Sequence, residues 1–398
     1  MAGTRRGFGA GPDSIRDGGK AGAPAFSKDG TLTVMQVADV QEGVDVRPET
    51  TMLLERALDA CEPDLVVFTG DQLKGYSLSL RLSGEAGIRK TIADILRPAT
   101  DRGIPFAVTY GNHDCQAGLV NERLEEIYRE LPGCMNAVFG DEGKEPGTFC
   151  VPIMASDGSG PAMAVWLADS GGDATMGGYE AFDPETTRWL VESATELDRS
   201  CAHRVPGILF QHIPMPDVYD CLREAAPGET GVPGYRTHYR PGQRLRLDER
   251  FAVEGEVGEV ICCGNENTGE FDALVAQGDF FAAFFGHDHK NSFVARRRGM
   301  LLGYSPTASF SSYGPGLDRA VRVLRFSESD PRHPALGLLS YRDLVGEETT
   351  QPVRDWMKTH MVTTVEEVLD KLPRLPRVSG PDVPGTASLP GDGAMASM

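Results

Sequence analysis

Pro105-Phe106-Ala107-Val108-Thr109-Tyr110-Gly111-Asn112-His113-Asp114 is an apolar run that halts on a glycine and passes at once into an amide, an imidazole and a carboxylate. The same grammar returns at Phe280-Phe281-Ala282-Ala283-Phe284-Phe285-Gly286-His287-Asp288-His289. Each apolar stretch reads as a buried strand, so the polar residues fall at strand ends, where α/β sheets place their active sites. Three shorter blocks share the format: Val37-Ala38-Asp39-Val40-Gln41, Phe68-Thr69-Gly70-Asp71-Gln72 and Leu209-Phe210-Gln211-His212. Carboxylate, amide oxygen and imidazole without thiolate suit Mn, Fe, Zn or Co divalent ions. Two ions about 3.5–4 Å apart need a carboxylate between them, and Asp71 is the natural bridge.

Around these blocks, strand-like runs alternate with amphipathic helix candidates. Strands are expected at 32–37, 64–68 and 105–110, with helices at 48–60, 88–100 and 121–131, a βαβαβα start. Strands at 148–154 and 162–168 flank the turn-rich Ser156-Asp157-Gly158-Ser159-Gly160, which predicts a hairpin. Asp183-Pro184 places an N-cap and a first-position proline ahead of a helix to about residue 198. Further strands are expected at 207–210, 280–285, 292–295, 300–304 and 320–326. The Pro-, Gly- and charge-rich segment 213–266 reads as a long excursion on the substrate side. Thr364-Val365-Glu366-Glu367 has the form of a capping box and predicts a short C-terminal helix. Residues 1–28 and 378–398 have the composition of disordered tails around one folded domain, 29–377.

The chain of 398 residues carries 39 basic and 58 acidic side chains, a formal charge of −19. Such a balance argues against nucleic acid or an anionic membrane surface as a partner, and any phosphate must be attracted locally, by ions and nearby arginines. There is no apolar N-terminal stretch resembling a secretory signal and no run of about 18 apolar residues to span a bilayer. The expected compartment is the cytoplasm, with all eight cysteines reduced. Cys115, next to Asp114, is the one cysteine placed to sit beside the metals.

The five blocks, in this order, resemble the calcineurin-like metallophosphoesterase superfamily, whose pattern is D-x-H, G-D, G-N-H-D/E, H and G-H-x-H. His212-Ile213-Pro214, Asn267-Thr268-Gly269 and Tyr313-Gly314 ahead of Arg319 are similar to its cytosolic purple-acid-phosphatase-like branch. The resemblance implies a four-layer αββα sandwich of two mixed sheets flanked by helices. It implies a first ion on Asp39, Gln41, Asp71 and His289, and a second on Asp71, Asn112, His212 and His287. His113 would protonate the leaving oxygen or bind phosphate, oriented by Asp114. The implied reaction is hydrolysis of a small phosphorylated substrate, a monoester first of all, by a hydroxide bridging two divalent ions (Mn, Fe or Zn). A phosphodiesterase shares every ligand, and a non-catalytic metal-binding regulator is the other alternative.

Two departures stand out. Gln41 occupies the position where the family usually has histidine, and an amide oxygen is the weaker ligand for a borderline ion, which predicts a looser first site. Lys74 stands where purple enzymes place a tyrosinate, the nearest tyrosine being Tyr76, so no Fe(III)-tyrosinate colour is expected. Taken singly, Asp39 at a strand end is more often a turn or cap residue than a ligand, Asn112 after Gly111 is equally a turn residue, and His212 could be a satisfied structural histidine. His203, His238, His333 and His360 match no block and read as surface residues, although His238 could reach the site from the excursion. Arg319, Arg322 and the Arg296-Arg297-Arg298 turn are candidate phosphate clamps, against the plainer reading of solvated arginines.

Overall fold

The computed structural model describes residues 23–136, 144–236 and 238–346. The chain runs β1 (Thr31–Val37), α1 (Pro48–Cys61), β2 (Leu65–Thr69), α2 (Leu78–Thr100), β3 (Phe106–Thr109), α3 (Asn121–Arg129), β4 (Phe149–Met154), β5 (Pro161–Ala168), α4 (Pro184–Cys201) and β6 (Gly207–Gln211). It continues through β7 (Leu222–Glu224), β8 (Val232–Tyr235), β9 (Tyr239–Leu247), β10 (Ala252–Glu254), α5 (Glu270–Gln277), β11 (Phe280–Phe285), β12 (Val294–Arg297), β13 (Met300–Tyr304), β14 (Ala320–Ser327), β15 (Asp330–Ser340) and α6 (Tyr341–Leu344).

Two mixed sheets are built from these strands, in the orders β15-β14-β1-β2-β3 and β10-β12-β13-β11-β6-β5-β4. Alternation along each strand sorts its side chains between two cores. Leu32 and Val34 of β1, Leu65 and Val67 of β2 and Ala107 of β3 face Ile208 and Phe210 of β6 and Phe284 of β11, which forms the apolar layer between the sheets. Met35, Val37, Val66, Phe68, Phe106 and Val108 turn the other way, onto apolar residues of α1, α2 and α3. On the far side Trp166, Leu209 and Phe285 pack against α4 and α5. The outcome is the expected αββα layering.

β1, β2 and β3 are mutually parallel, as are β5, β6, β11 and β13. Their carboxyl ends therefore open toward one rim, and the loops there carry the ligand blocks. Gln36 ties the sheets together beneath that rim: its Nε2 donates to the Phe285 carbonyl of the opposite sheet at 2.9 Å.

Several boundaries differ from expectation for local physical reasons. The helix expected at 88–100 is the second part of α2, which reaches back to Leu78 across Gly84, whose φ of 62° breaks the helical path. Within 23–28, Phe26 is buried and its N–H donates to the Met154 carbonyl, so the ordered chain starts ahead of residue 29. The excursion 213–266 is built structure: β7, β9 and β8 form a small antiparallel sheet, and β10 joins β12 in the second large sheet. β15 was not anticipated, because its two prolines hide a strand that survives as the sheet's outer edge. As expected, the Asp183 side chain caps α4 by accepting from the N–H groups of Glu185 and Thr186, with Pro184 at the first helical position. His360, the expected helix at 364–367 and the tail 378–398 lie outside the described residues.

Candidate metal centre

The ligand blocks sit on backbone that ordinary residues avoid. Asp39, Gln41, Asp71 and His287 all hold positive φ, at 53°, 39°, 55° and 74°. Each such non-glycine residue is strained by roughly 1–3 kcal/mol, a conformation that persists when the surrounding fold over-determines it. The effect is to turn the side chain sharply off the strand end into the rim between the sheets. Gly111 lets this happen: a Cβ there would lie 2.2 Å from Asp71 Oδ1.

Five of the side chains singled out in the sequence lie in close contact in pairs. His212 Nε2 lies 3.4 Å from Asp71 Oδ2 and 3.2 Å from His287 Nδ1. His289 Nε2 lies 3.4 Å from Asp39 Oδ1. One ligand atom each from Asp39, Asp71 and His212 falls within 4.8 Å of the others. Atoms bound side by side to one ion at about 2.0–2.2 Å sit roughly 3 Å apart, so these separations are of the size that neighbouring ligands of one ion would span. Asp39 Oδ1 and Asn112 Oδ1 are buried and accept no hydrogen bond. Leaving such oxygens unpaired is costly unless a cation meets them, and the donor set fits divalent ions.

The outer contacts aim these groups. The Thr69 carbonyl accepts from His212 Nδ1 at 2.9 Å, which turns Nε2 inward, and the Tyr313 carbonyl does the same for His289 at 2.8 Å. The Tyr313 ring stacks on His289, with centroids 4.0 Å apart, and Tyr179 meets His287 edge-on at 4.3 Å. Asp39 Oδ2 accepts from the His287 N–H at 2.9 Å and Asp71 Oδ1 from the His113 N–H at 2.8 Å.

The charges are coupled. Burial opposes ionisation of Asp71, but His212 and His113 outweigh it and hold its carboxyl well below the usual range. Burial likewise opposes the His212 imidazolium, and Asp71 and Asp39 push it up to about 10. His287 moves the opposite way, far below its ordinary value, through burial and the nearby positive charge of His212.

Three sequence-based expectations need correction. Gln41 is in the cluster, but its Nε2, not its oxygen, faces the shared carboxylate, donating to Asp71 Oδ2 at 2.9 Å while Oε1 accepts from the Tyr76 hydroxyl at 3.2 Å. Asp114 does not contact His113: its carboxylate accepts from the N–H groups of Asp71, Leu73 and Gly111, and so shapes the backbone that presents Asp71. Burial and then Asp71 push Asp114 up to about 7. The arginine clamp is not formed, because Arg319 and Arg322 are fully buried and spent on carbonyls, including those of Ser312 and Tyr304. Arg297 and Arg298 pair with Asp220 and Asp272.

Cys115 is exposed, and burial of its thiol together with Asp114 raises its pKa, which disfavours the reactive thiolate. His203 and His238 are exposed, and His238 lies beside Tyr239, not among the ligand groups. Sequence reasoning missed Asp173, whose Oδ1 accepts from Asn112 Nδ2 at 3.0 Å. It also missed Gln116, whose Oε1 faces His113 Nδ1 at 3.0 Å. Beside the rim, a cleft of about 490 Å³ is lined by the loop 43–48 with Lys74, Ser77, Ser79 and Ser311.

Residues 32–291 match the family model described as calcineurin-like phosphoesterase. The chain is 26% identical over 340 residues to Probable inactive purple acid phosphatase 14 of Arabidopsis thaliana, covering 75% of this chain and 76% of that one. It is 28% identical over 277 residues to Phosphatase DCR2 of Saccharomyces cerevisiae, covering 61% of this chain and 45% of that one. Among solved structures, a dimetal phosphatase from Danio rerio aligns with 78% of this chain and 99% of its own, at 12% identity and a TM-score of 0.44.

Proposed function

Because the chain belongs to the calcineurin-like phosphoesterase family, we propose that it is a metal-dependent phosphomonoesterase. The observation that carries this reading is the set of close contacts His212–Asp71, His212–His287 and His289–Asp39 at 3.2–3.4 Å, with two buried carboxylate and amide oxygens that have no hydrogen-bond partner. Asp39, Asp71 and His289 would hold one ion, and Asp71, Asn112, His212 and His287 the other. Bound there, divalent ions supply Lewis acidity toward the phosphoryl oxygens and a nucleophile at neutral pH.

The remaining work falls to His113. It is the one member of the set with appreciable exposure, 28% of its side chain, and its Nε2 lies 3.9 Å from Asp71 Oδ2. A proton on Nε2 passes to the ester oxygen as the P–O bond breaks, which is general acid catalysis. The cleft beside Lys74, Ser77 and Ser79 would receive the departing alcohol or phenol of a small phosphorylated substrate. With eight free cysteines and no disulfide among the described residues, the reading includes a reducing compartment such as the cytoplasm. No helix among the described residues is long and apolar enough to cross a membrane.

The test is turnover of 4-nitrophenyl phosphate against bis(4-nitrophenyl) phosphate, with protein purified without chelator, analysed for metals and reloaded with each divalent ion. Faster hydrolysis of the monoester is expected. Preference for the diester would convert the assignment to a phosphodiesterase. A second reading, a metal-binding protein without turnover, is favoured by the Gln41 nitrogen that faces Asp71, and the Arabidopsis relative carries the word inactive in its name. One ion per chain and no turnover of either ester would select it.

A further inference from the structure

Asp173 sits in the loop after β5, far in sequence from every ligand block, and its two oxygens serve two different parts of the centre. Oδ1 accepts from Asn112 Nδ2 at 3.0 Å, and Oδ2 accepts from Gln116 Nε2 at 2.8 Å. A carboxylate can only accept, so each contact decides which end of an amide faces it. For Asn112, the nitrogen is held on Asp173 and the buried Oδ1 is left turned away, without a protein partner. For Gln116, the nitrogen is held and Oε1 is presented to His113 Nδ1 at 3.0 Å. Since Oε1 also only accepts, Nδ1 must carry a hydrogen, and the exchangeable position of the ring is Nε2, the nitrogen on the Asp71 side.

We propose that Asp173 is the positioning residue of the centre, acting through Asn112 on the second ion and through Gln116 on the proton donor. This rests on the phosphomonoesterase reading for its catalytic half alone. In the reaction, His113 Nε2–H gives its proton to the leaving oxygen while Nδ1–H stays on Gln116, and the negative charge of Asp173 is unchanged throughout. Asp173 replaces Asp114 as the carboxylate behind His113; Asp114 is committed to three backbone N–H groups.

Asp173→Asn removes the obligatory acceptor while keeping size. General acid assistance contributes about 10²–10⁴-fold where the leaving group is poor, so kcat for phenyl phosphate should fall about tenfold or more, while kcat for 4-nitrophenyl phosphate, whose anion leaves unaided, falls less than about threefold. KM should hold. A Mn²⁺ titration by calorimetry should show one of two sites weakened. The double variant D173N/Q116E, in which a carboxylate at 116 accepts from Nδ1 without help, should regain the phenyl phosphate rate but not the metal affinity. Equal losses on both esters, or no rescue, would overturn the proton-donor arm, and an unchanged Mn²⁺ isotherm would overturn the metal arm. Should the parent protein hydrolyse neither ester, the phosphatase reading fails by itself. The positioning role is then decided by the Mn²⁺ isotherm and by ¹⁵N spectra of labelled imidazoles, where D173N must lose the Nδ1–H form of His113 to support it and retention of that form refutes it.

Discussion

The amide nitrogen of Gln41 donates to Asp71 Oδ2 at 2.9 Å, on the same oxygen that faces His212 Nε2 at 3.4 Å. An N–H thus occupies the edge of the centre where the family usually has a second imidazole. The Tyr76 hydroxyl at the other end of the amide can donate or accept, so a half-turn of Gln41 keeps that bond while bringing Oε1 round to Asp71. A fourth ligand from Gln41 to the first ion would require that turn.

Replacing Gln41 with histidine should therefore tighten the first ion by about 10- to 100-fold, the range over which groups around a metal tune affinity. Competition with a fluorescent chelator measures it. An unchanged affinity would mean that the amide already turns freely and poses no barrier.

Asp71→Ala should lower the rate by about 10³-fold or more, since it deletes the charge shared by both halves of the site. Bound metal per chain, by elemental analysis, should fall in parallel. Full activity in this variant would refute the bridging assignment.

A methyl group at residue 111 would stand 2.2 Å from Asp71 Oδ1 and 2.6 Å from the Asp71 nitrogen. Gly111→Ala should displace the shared carboxylate, cutting activity while destabilising the fold by about 1–3 kcal/mol, the usual penalty of overpacking. Urea unfolding separates the two effects. Wild-type turnover would show that β3 can shift to make room.

Glu270 opens α5 deep against Gln211, and burial pushes its carboxyl up from 4.5 to about 8. The unfolded chain ionises it near 4.5 while the folded protein keeps the proton to about 8. Unfolding therefore releases a proton inside this window, and stability declines as pH rises through it and levels off above. Glu270→Gln should gain roughly 2–3 kcal/mol at pH 7 and little at pH 4. Thermal melts at both values test this, and an equal gain at the two would point to a packing effect instead.

The framework of the candidate centre is readable because its signal is local. Each block is an apolar run ended by ligands, and parallel pairing of β1, β2, β3, β6 and β11 carries those ends to one rim. Asp173 left no such mark, since it lies in a Gly-rich loop whose partners are 57 and 61 positions away. The part played by Asp114 was misread because adjacency to His113 along the chain is not adjacency of side chains. In 213–266, Pro233, Gly234, Pro241 and Gly242 conceal β8 and β9, whose pairing follows from the hairpin and not from alternation. The orientation of Gln41 depends on Tyr76, which composition cannot place.

Strand β1 forms its sheet contacts with β2 on one side and, on the other, with β14, which starts at Ala320. During synthesis the first carboxylate-bearing strand therefore waits with one flank bare until almost three hundred more residues have emerged, and His287 and His289 arrive barely before its partner. An ion cannot be captured by the nascent chain in its final geometry. A ligand set that runs from Asp39 to His289 is complete only late in synthesis, so any ion that needs all of it is bound late.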